Sequence, residues 1–160
     1  MSQVATRKLW LLIAAIVVVD QLTKHWALNR LSGGRTIDII GSLRLNLAFN
    51  RGMAFSQATG AGPIIGALAF VIIIVIVLWM RRSATGVSAV AAGLIVGGAL
   101  GNLVDRLFRN EAWLRGAVVD FVDLQWFPIF NVADSCITIG AALMVLASLR
   151  AKSATTAASN

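Results

Sequence analysis

The acidic residues of this sequence are few, and several of them lie at the ends of apolar segments. Asp134 is the sixth residue of the apolar stretch 129–149 and follows Asn131 by three positions. An ionisable group inside such a stretch costs about 3 kcal/mol on insertion scales, so it is a functional candidate by default. Asp120 and Asp123 lie in the segment 117–124, shortly before this stretch.

Helix capping is the structural alternative for Asp134, because an acid in the first turn of a helix interacts favourably with free backbone N–H groups and with the helix dipole. Asn131 is the better candidate for the cap, so we expect Asp134 to have a chemical role. Asp120 and Asp123 are three residues apart in an extended segment, so they point to opposite faces. Only one of them can accompany Asp134, and the spacing does not decide which.

Two carboxyl groups held close together cannot both ionise, so one keeps a proton while the other accepts a proton from water. The activated water attacks a peptide carbonyl, and the protonated acid supports the oxygen and later the leaving amine. Because such a pair titrates as a unit, the spacing does not assign the acid and the base. The pattern therefore indicates an aspartic peptidase.

Other catalytic arrangements are less well supported. A Ser-His-Asp triad would need His25, the only histidine, and a Ser–Lys dyad would need Lys24. Asp20 precedes Lys24 by four residues on the same helical face, which predicts an ion pair instead. The single cysteine, Cys136, excludes an internal disulfide and a cysteine-based metal site, and we expect neither a metal nor a cofactor.

The elements that must position these acids are membrane-spanning helices. Of 160 residues, 58% are hydrophobic and only 13% are charged, with a mean hydropathy of +0.82, which indicates an integral membrane protein. The net charge of +7 comes without the basic run typical of nucleic-acid binding, so we expect no nucleic-acid partner. We predict one integral membrane domain, residues 1–160, with spans at about 9–28, 62–80, 86–105 and 129–149.

The orientation follows from the charges between the spans. Lysine and arginine residues number six on each side of the membrane, but the side that holds the termini has short segments and no acid. We therefore predict that both termini are cytoplasmic, with external connections at 29–61 and 106–128. The first apolar segment is interpreted as a retained helix rather than a cleaved signal peptide, because no small-residue cleavage site follows it.

The external connections contain strand patterns. "LRLNLAFN" (43–50) alternates apolar and polar residues, and "TIDII" (36–40) is its expected hairpin partner. Segment 117–124 has the character of a strand or an irregular extended piece. We predict a mainly α-helical membrane protein of four transmembrane helices, with a small extracytoplasmic β-sheet cap between the first and second helices. Gly93, Gly97 and Gly101 form a stripe that favours close helix packing.

A non-enzymatic membrane protein is the alternative, either a small transporter or an assembly factor in which the acids bind protons or cations. Secondary transporters often carry inverted repeats. None is visible in this sequence, which weakens the alternative.

The sequence closely resembles the bacterial lipoprotein signal peptidase family, also called signal peptidase II. The likeness covers roughly residues 9–149 and consists of five motifs in the family's order. These are "DQLTK" (20–24), "FNRGMAF" (49–55), "GNLVDR" (101–106), "VVDF" (118–121) and "FNVAD" (130–134). Each motif alone is weak, whereas five in order on a chain of four spans are specific.

The resemblance implies that Asp120 and Asp134 are the catalytic pair, and it leaves Asp123 as a solvated loop acid. It implies that Asp20 and Lys24 hold the first helix and the external cap. Supporting roles around the site are implied for Asn50, Gly52, Asn102, Arg106, Asn131 and Ala133. Asn102 and Arg106 are four residues apart and therefore share a helical face, which suits Arg106 to orienting the substrate backbone or the site.

The implied substrate is a diacylglyceryl-modified prolipoprotein, cut on the amino side of its lipid-bearing cysteine. The enzyme would be a multi-pass protein of the bacterial cytoplasmic (inner) membrane, in contact with the lipid bilayer and active as a monomer. Its active site would lie near the outer face, where water meets the scissile bond while the lipid tails stay in the bilayer.

Overall fold

A computed structural model describes residues 3–52, 62–83, 86–109 and 114–158. Within them lie four helices, each long and apolar enough to cross a membrane, which confirms the predicted fold class. Residues 53–55 of the second motif and Glu111 lie outside the described residues. The helices are α1 (Gln3–Leu31), α2 (Gly62–Ser83), α3 (Gly86–Phe108) and α4 (Val132–Ala158).

Helix α3 is the centre of the bundle. In its most apolar window 56% of the residues are buried, against 17% in α2, and α3 packs against the other three helices. Its small residues make this possible, because they allow neighbouring helices to approach closely. Helix α2 has the highest mean hydropathy, 2.9, and leaves most of its apolar side chains exposed, as a lipid-facing helix should.

The predicted glycine stripe on α3 lies against α1. A Cβ atom added at Gly93 would lie 2.6 Å from Leu9 Cδ1, and one added at Gly101 would lie 2.6 Å from Asp20 Oδ2. The contacts ascend together along both helices, so α1 and α3 are parallel. The prediction of close helix packing is confirmed.

Helix α4 runs antiparallel to α3. A Cβ atom added at Gly98 would lie 2.4 Å from the Ala133 carbonyl oxygen, and one added at Gly140 would lie 2.7 Å from the Ala91 carbonyl oxygen. Residue numbers rise on one helix as they fall on the other. Backbone atoms occupy the space that larger side chains would need, so these two glycines set the distance between the helices.

A three-stranded antiparallel sheet covers one end of the bundle, in the order β1 (Thr36–Ile40), β2 (Leu43–Asn50), β3 (Val118–Asp123). The predicted hairpin is confirmed, and Gly41 turns it with a φ of 56°. The third strand comes from the second connection, so the sheet is not confined to residues 29–61. The apolar face of the sheet packs on the end of α1, with Leu45, Leu47 and Phe121 against Ala27 and Leu31.

The strand register determines where the acids of β3 lie. Asp120 is opposite Ala48 and Asp123 is opposite Arg44, with an irregularity in β2 between Leu45 and Ala48. The chain then returns through a bridge between Val122 and Phe130 and enters α4 directly. Because of this return, the middle of β3 lies beside the first turn of α4.

Candidate active site

The first turn of α4 is closed by a reciprocal capping pair. Asn131 Oδ1 accepts a hydrogen bond from the Asp134 backbone N–H at 2.9 Å, and Asp134 Oδ2 accepts one from the Asn131 backbone N–H at 3.2 Å. This is a capping box with aspartate at its third helical position. Asn131 is the cap, as the sequence predicts, and Asp134 has a structural role as well, because its carboxylate completes the capping box.

Asp134 is also held from α3. Its Oδ1 accepts a hydrogen bond of 2.7 Å from Asn102 Nδ2, so each carboxylate oxygen has an N–H donor. The side chain is half-buried and faces a groove. Asp134 therefore combines a fixed orientation with access to whatever occupies the groove.

Asp120 lies beside this turn and is only 3% exposed. Its Oδ1 accepts a hydrogen bond of 2.6 Å from Asn131 Nδ2, and the side chain of Asn50 supplies a further hydrogen bond. Asn131 thus contacts both acids, through its side chain to Asp120 and through its backbone to Asp134. The structure thus brings together the two acids that the family resemblance pairs.

The surroundings of Asp120 raise its pKa to about 7. Burial is the main cause, and the negative charge of Asp134 adds to it, while the hydrogen bonds from Asn131 and Asn50 act in the opposite direction. At neutral pH this carboxyl group is therefore close to half-protonated. A neutral acid next to a second carboxyl group is the arrangement that shared-proton chemistry requires.

Asp123 takes no part in this arrangement. Its carboxylate accepts hydrogen bonds from Arg44 Nε at 2.7 Å, from the Gln125 backbone N–H at 2.7 Å and from Asn46 Nδ2 at 3.3 Å. The interpretation of Asp123 as a solvated loop acid is wrong, because it ends a strand and its sheet neighbours cover it. Desolvation raises its pKa, but the hydrogen bonds, that from Arg44 first, outweigh this effect and lower the pKa overall.

A buried ionic cluster lies behind the two acids. Lys24 Nζ is fully buried and contacts Asp20 Oδ2 at 2.8 Å, Asp105 Oδ2 at 2.9 Å and Asn102 Oδ1 at 2.9 Å. The predicted pair of Asp20 and Lys24 is present. Among the described residues, Lys24 joins α1 to α3 through Asp105 and Asn102, and Asp20 joins α1 to α4 through the Ala133 N–H. That the pair also holds the external cap stays a prediction.

Ala133 connects this cluster to α4. Its backbone N–H donates a 3.0 Å hydrogen bond to Asp20 Oδ1, and its side chain is fully buried against Gly101. A side chain larger than alanine at this position would meet α3. The small residue lets the two helices approach, and this approach brings Asn102 within reach of Asp134.

Asp105 and Gln21 were not among the predicted site residues. Asp105 is fully buried and accepts hydrogen bonds from Arg109 Nε at 2.6 Å and from Gln21 Nε2 at 3.1 Å, besides its contact with Lys24. One signal was available in the sequence, because Asp105 precedes Arg109 by four residues, the favoured order for a helical ion pair.

Arg106 has a different environment from Asp105. It is 6% exposed, and within the described part of the chain its Nη1 has no hydrogen-bond partner. The carboxylates of Asp120, Asp105 and Asp134 lie within electrostatic reach of its guanidinium group. An unpaired buried donor is costly, so this nitrogen is available to a hydrogen-bond acceptor in the groove that Arg106 lines.

The groove beside Asp134 has a volume of about 790 Å³. Gly52 lines it with a φ of 97°, a conformation that favours glycine, and its N–H donates to Asn50 Oδ1 at 2.9 Å. Among the described residues, no group of three or more His, Cys, Asp or Glu side chains is placed to hold a metal ion. The apolar part of the lining consists of Ile65, Leu124, Trp126, Phe127, Pro128, Ile129, Phe130 and Ile139.

The fold and the site define a class of protein: a multi-pass membrane protein with two carboxyl groups that one asparagine joins, one of which lines a largely apolar groove. The family model described as signal peptidase (SPase) II matches residues 12–150, and the chain belongs to this family. It is therefore a peptidase of a bacterial membrane.

Individual relatives agree with this assignment. The chain is 45% identical over 145 residues to the lipoprotein signal peptidase of Mycobacterium leprae, covering 89% of this chain and 72% of that relative. It is 44% identical over 144 residues to the protein of the same name from Mycolicibacterium smegmatis, covering 89% of this chain and 61% of that relative. A bacterial membrane enzyme solved by the in meso method at 2.3 Å resolution superposes with a TM-score of 0.81 at 31% identity, covering 91% of this chain and 90% of that one.

Proposed function

We propose that this protein is an aspartic endopeptidase that removes the signal peptide from diacylglyceryl-modified prolipoproteins, cutting on the amino side of the lipid-modified cysteine. The observation that carries the proposal is the position of Asn131 between two carboxyl groups. Its Nδ2 donates to Asp120 Oδ1 at 2.6 Å, and its backbone N–H donates to Asp134 Oδ2 at 3.2 Å. Family membership supplies the class of substrate.

The chemistry follows from the different surroundings of the two acids. Asp120 is buried with a pKa of about 7 and carries the shared proton, whereas Asp134 accepts an N–H hydrogen bond on each oxygen and suits the role of base. A water molecule gives a proton to Asp134 while its oxygen attacks the carbonyl carbon of the scissile peptide. The proton of Asp120 stabilises the carbonyl oxygen. The C–N bond then breaks, and the leaving amine takes a proton from the pair.

The remaining predicted residues surround this reaction. Asn102 and Asn50 orient the acids by hydrogen bonds, and Gly52 provides a tight turn in the lining of the groove. Arg106 Nη1, which has no hydrogen-bond partner among the described residues, would bind a backbone carbonyl of the substrate. This contact would align the extended signal peptide so that its scissile bond lies over Asp134.

The apolar lining of the groove suits a lipidated substrate. Ile65 from α2 and Ile139 from α4 border it, so the acyl chains of the substrate could remain in the bilayer between these helices. Helix α1 is parallel to α3 and antiparallel to α4, which supports placing both termini on one side of the membrane. We propose a monomer of one integral domain in the bacterial inner membrane, with cytoplasmic termini and an active site near the outer face.

The proposal is tested with the purified protein in detergent, given a lipidated and an unlipidated form of the same prolipoprotein. We expect cleavage of the lipidated form only, and loss of cleavage in Asp120→Asn and in Asp134→Asn while both proteins still accumulate in the membrane. Asp123→Asn is the matched control and should retain activity. Near wild-type cleavage by Asp120→Asn or by Asp134→Asn would rule out the paired-aspartate mechanism.

A further inference from the structure

We propose that Asp105 is a positioning residue that holds Asp120 in place through the backbone of Val119, and that Lys24 joins this support to the one that holds Asp134. The inference rests on the proposed function, because it takes Asp120 and Asp134 to be the reacting acids. It concerns a residue that contacts neither the groove nor a carboxyl group of the pair through its own side chain.

Asp105 contacts the backbone of β3. Asp105 Oδ2 accepts a 3.1 Å hydrogen bond from the Val119 backbone N–H, and both residues are fully buried. Val119 directly precedes Asp120. Because the backbone has only two soft dihedral angles per residue, fixing this N–H restricts where the Cα atom of Asp120 can lie.

Asp20 makes an equivalent contact with the backbone of α4. Asp20 Oδ1 accepts a 3.0 Å hydrogen bond from the Ala133 backbone N–H, and Ala133 directly precedes Asp134. Each reacting acid therefore follows a residue whose N–H is bound by a buried carboxylate. The two supporting carboxylates come from different helices, Asp20 from α1 and Asp105 from α3.

Lys24 joins the two supporting carboxylates, Asp20 and Asp105. Lys24 Nζ lies 2.8 Å from Asp20 Oδ2 and 2.9 Å from Asp105 Oδ2. It also donates to Asn102 Oδ1 at 2.9 Å, and Asn102 Nδ2 in turn donates to Asp134 Oδ1 at 2.7 Å. An ammonium group has three N–H donors. In Lys24 they contact Asp20, Asp105 and Asn102, the three side chains that hold the reacting acids or the residues before them.

Charge explains why the arrangement is rigid. Asp20, Asp105 and Lys24 are fully buried, and Arg109 contacts Asp105 Oδ1 at 2.6 Å, so two acids are balanced by two bases. Hydrogen bonds between charged groups are stronger than neutral ones, and removing one partner of a buried pair leaves an uncompensated charge. Any displacement of Asp105 would disturb Lys24 and Val119 together.

The test compares Asp105→Asn with Asp123→Asn. The two acids are matched, because both are buried and both are paired with an arginine. Each also accepts a backbone hydrogen bond, Asp105 from Val119 in β3 and Asp123 from Gln125 just after β3. In assays with the lipidated prolipoprotein we expect kcat of Asp105→Asn to fall about 100-fold with KM within about twofold, since small misplacements of reacting groups have effects of this size. Asp123→Asn should keep kcat within about threefold of wild type.

Hydrogen exchange provides a readout of the proposed contact itself. Exchange of the Val119 amide should become faster in Asp105→Asn and remain slow in Asp123→Asn. Asp105→Glu is the second variant: it keeps the charge opposite Lys24 but moves the carboxylate away from the Val119 N–H, so it should fold and still lose kcat. Wild-type kcat in either Asp105 variant would overturn the inference.

The outcomes separate this inference from the proposed function. If Asp120→Asn retains cleavage, the mechanism itself is wrong and the inference falls with it. If Asp120→Asn is inactive while Asp105→Asn and Asp105→Glu cleave normally, only the positioning role is wrong. If both Asp105 variants lose activity in proportion to a loss of folded protein, as thermal unfolding would reveal, Asp105 is structural and the inference is rejected.

Discussion

Asn131 and Asp134 hold each other at the start of α4, with the Asp134 N–H donating to Asn131 Oδ1 at 2.9 Å and the Asn131 N–H donating to Asp134 Oδ2 at 3.2 Å. The same asparagine donates from Nδ2 to Asp120 Oδ1 at 2.6 Å. Asn131 is thus both the cap of α4 and the residue that links the two carboxyl groups. A structural role for Asp134 in the first helical turn is therefore compatible with the chemical role that we propose for it.

Substitutions of Asn131 should separate the two roles. Serine is a good cap but has no amide donor, so Asn131→Ser should keep the stability of α4 while losing the contact to Asp120. Asn131→Ala should lose both and cost about 1 kcal/mol in stability. Thermal unfolding and cleavage assays on the two variants check this, and an Asn131→Ser enzyme with full activity would contradict the bridging role.

Cleavage should depend on the protonation of Asp120. Its pKa is raised to about 7, so the rate should fall as pH rises from about 7 to 8.5, because Asp120 then loses the shared proton. The measurement is kcat against pH with saturating lipidated substrate. A rate that stays constant up to pH 8.5 would contradict the assignment of the proton to Asp120.

The same carboxyl group should make stability depend on pH. Its pKa is 3.8 in the unfolded chain and about 7 in the folded protein, so the folded state binds more protons between these values. The stability that Asp120 contributes is complete below pH 3.8 and is lost as pH rises through 7. Asp120→Asn should therefore unfold at a higher temperature than wild type at pH 8, with the difference vanishing at pH 4. Equal unfolding temperatures at pH 8 would count against burial as the cause of the shift.

Arg106 should act on substrate binding and alignment. Arg106→Gln removes the donor Nη1, which has no partner in the described part of the chain, and kcat/KM should fall about 10- to 100-fold, the effect of losing one hydrogen bond of a charged group. Arg44→Gln is the control, because Arg44 pairs with Asp123 away from the groove. Equal activities of the two variants would show that Arg106 does not contact the substrate.

Two glycines of α3 should differ in their tolerance of alanine. In Gly98→Ala the new Cβ atom would lie 2.4 Å from the Ala133 carbonyl oxygen, a backbone atom that cannot move without shifting α4. We expect a loss of about 1–3 kcal/mol in stability. In Gly93→Ala the closest atom is Leu9 Cδ1, the end of a flexible side chain, so the cost should be smaller. Unfolding in detergent measures both, and equal losses would contradict this description of the helix contact.

Local sequence patterns determined much of the fold. Runs of apolar residues predicted four helices, strict alternation predicted β2 with β1 as its hairpin partner, and four-residue spacing predicted the glycine stripe and the pair of Asp20 and Lys24. These features depend on neighbours within one or two turns or along one strand. The spacing of residues along the sequence is therefore sufficient to predict them.

Only the tertiary structure decided which residues meet at the site. Asp120 and Asp123 are equivalent by spacing, and what separates them is the register of β3 against β2, which pairs Asp123 with Arg44 and leaves Asp120 facing Asn131. The buried position of Asp105 likewise arises because its own helix, α3, packs against both α1 and β3 at this point.

The physical reason is distance along the chain. The contact between Ala133 and Asp20 joins residues 113 positions apart, and the one between Lys24 and Asn102 joins residues 78 apart. No periodicity encodes such pairs, because they form only when whole helices pack. The sequence by itself determined the elements and indicated acids as the candidate reacting groups, and helix packing together with strand register decided which side chains surround the paired acids.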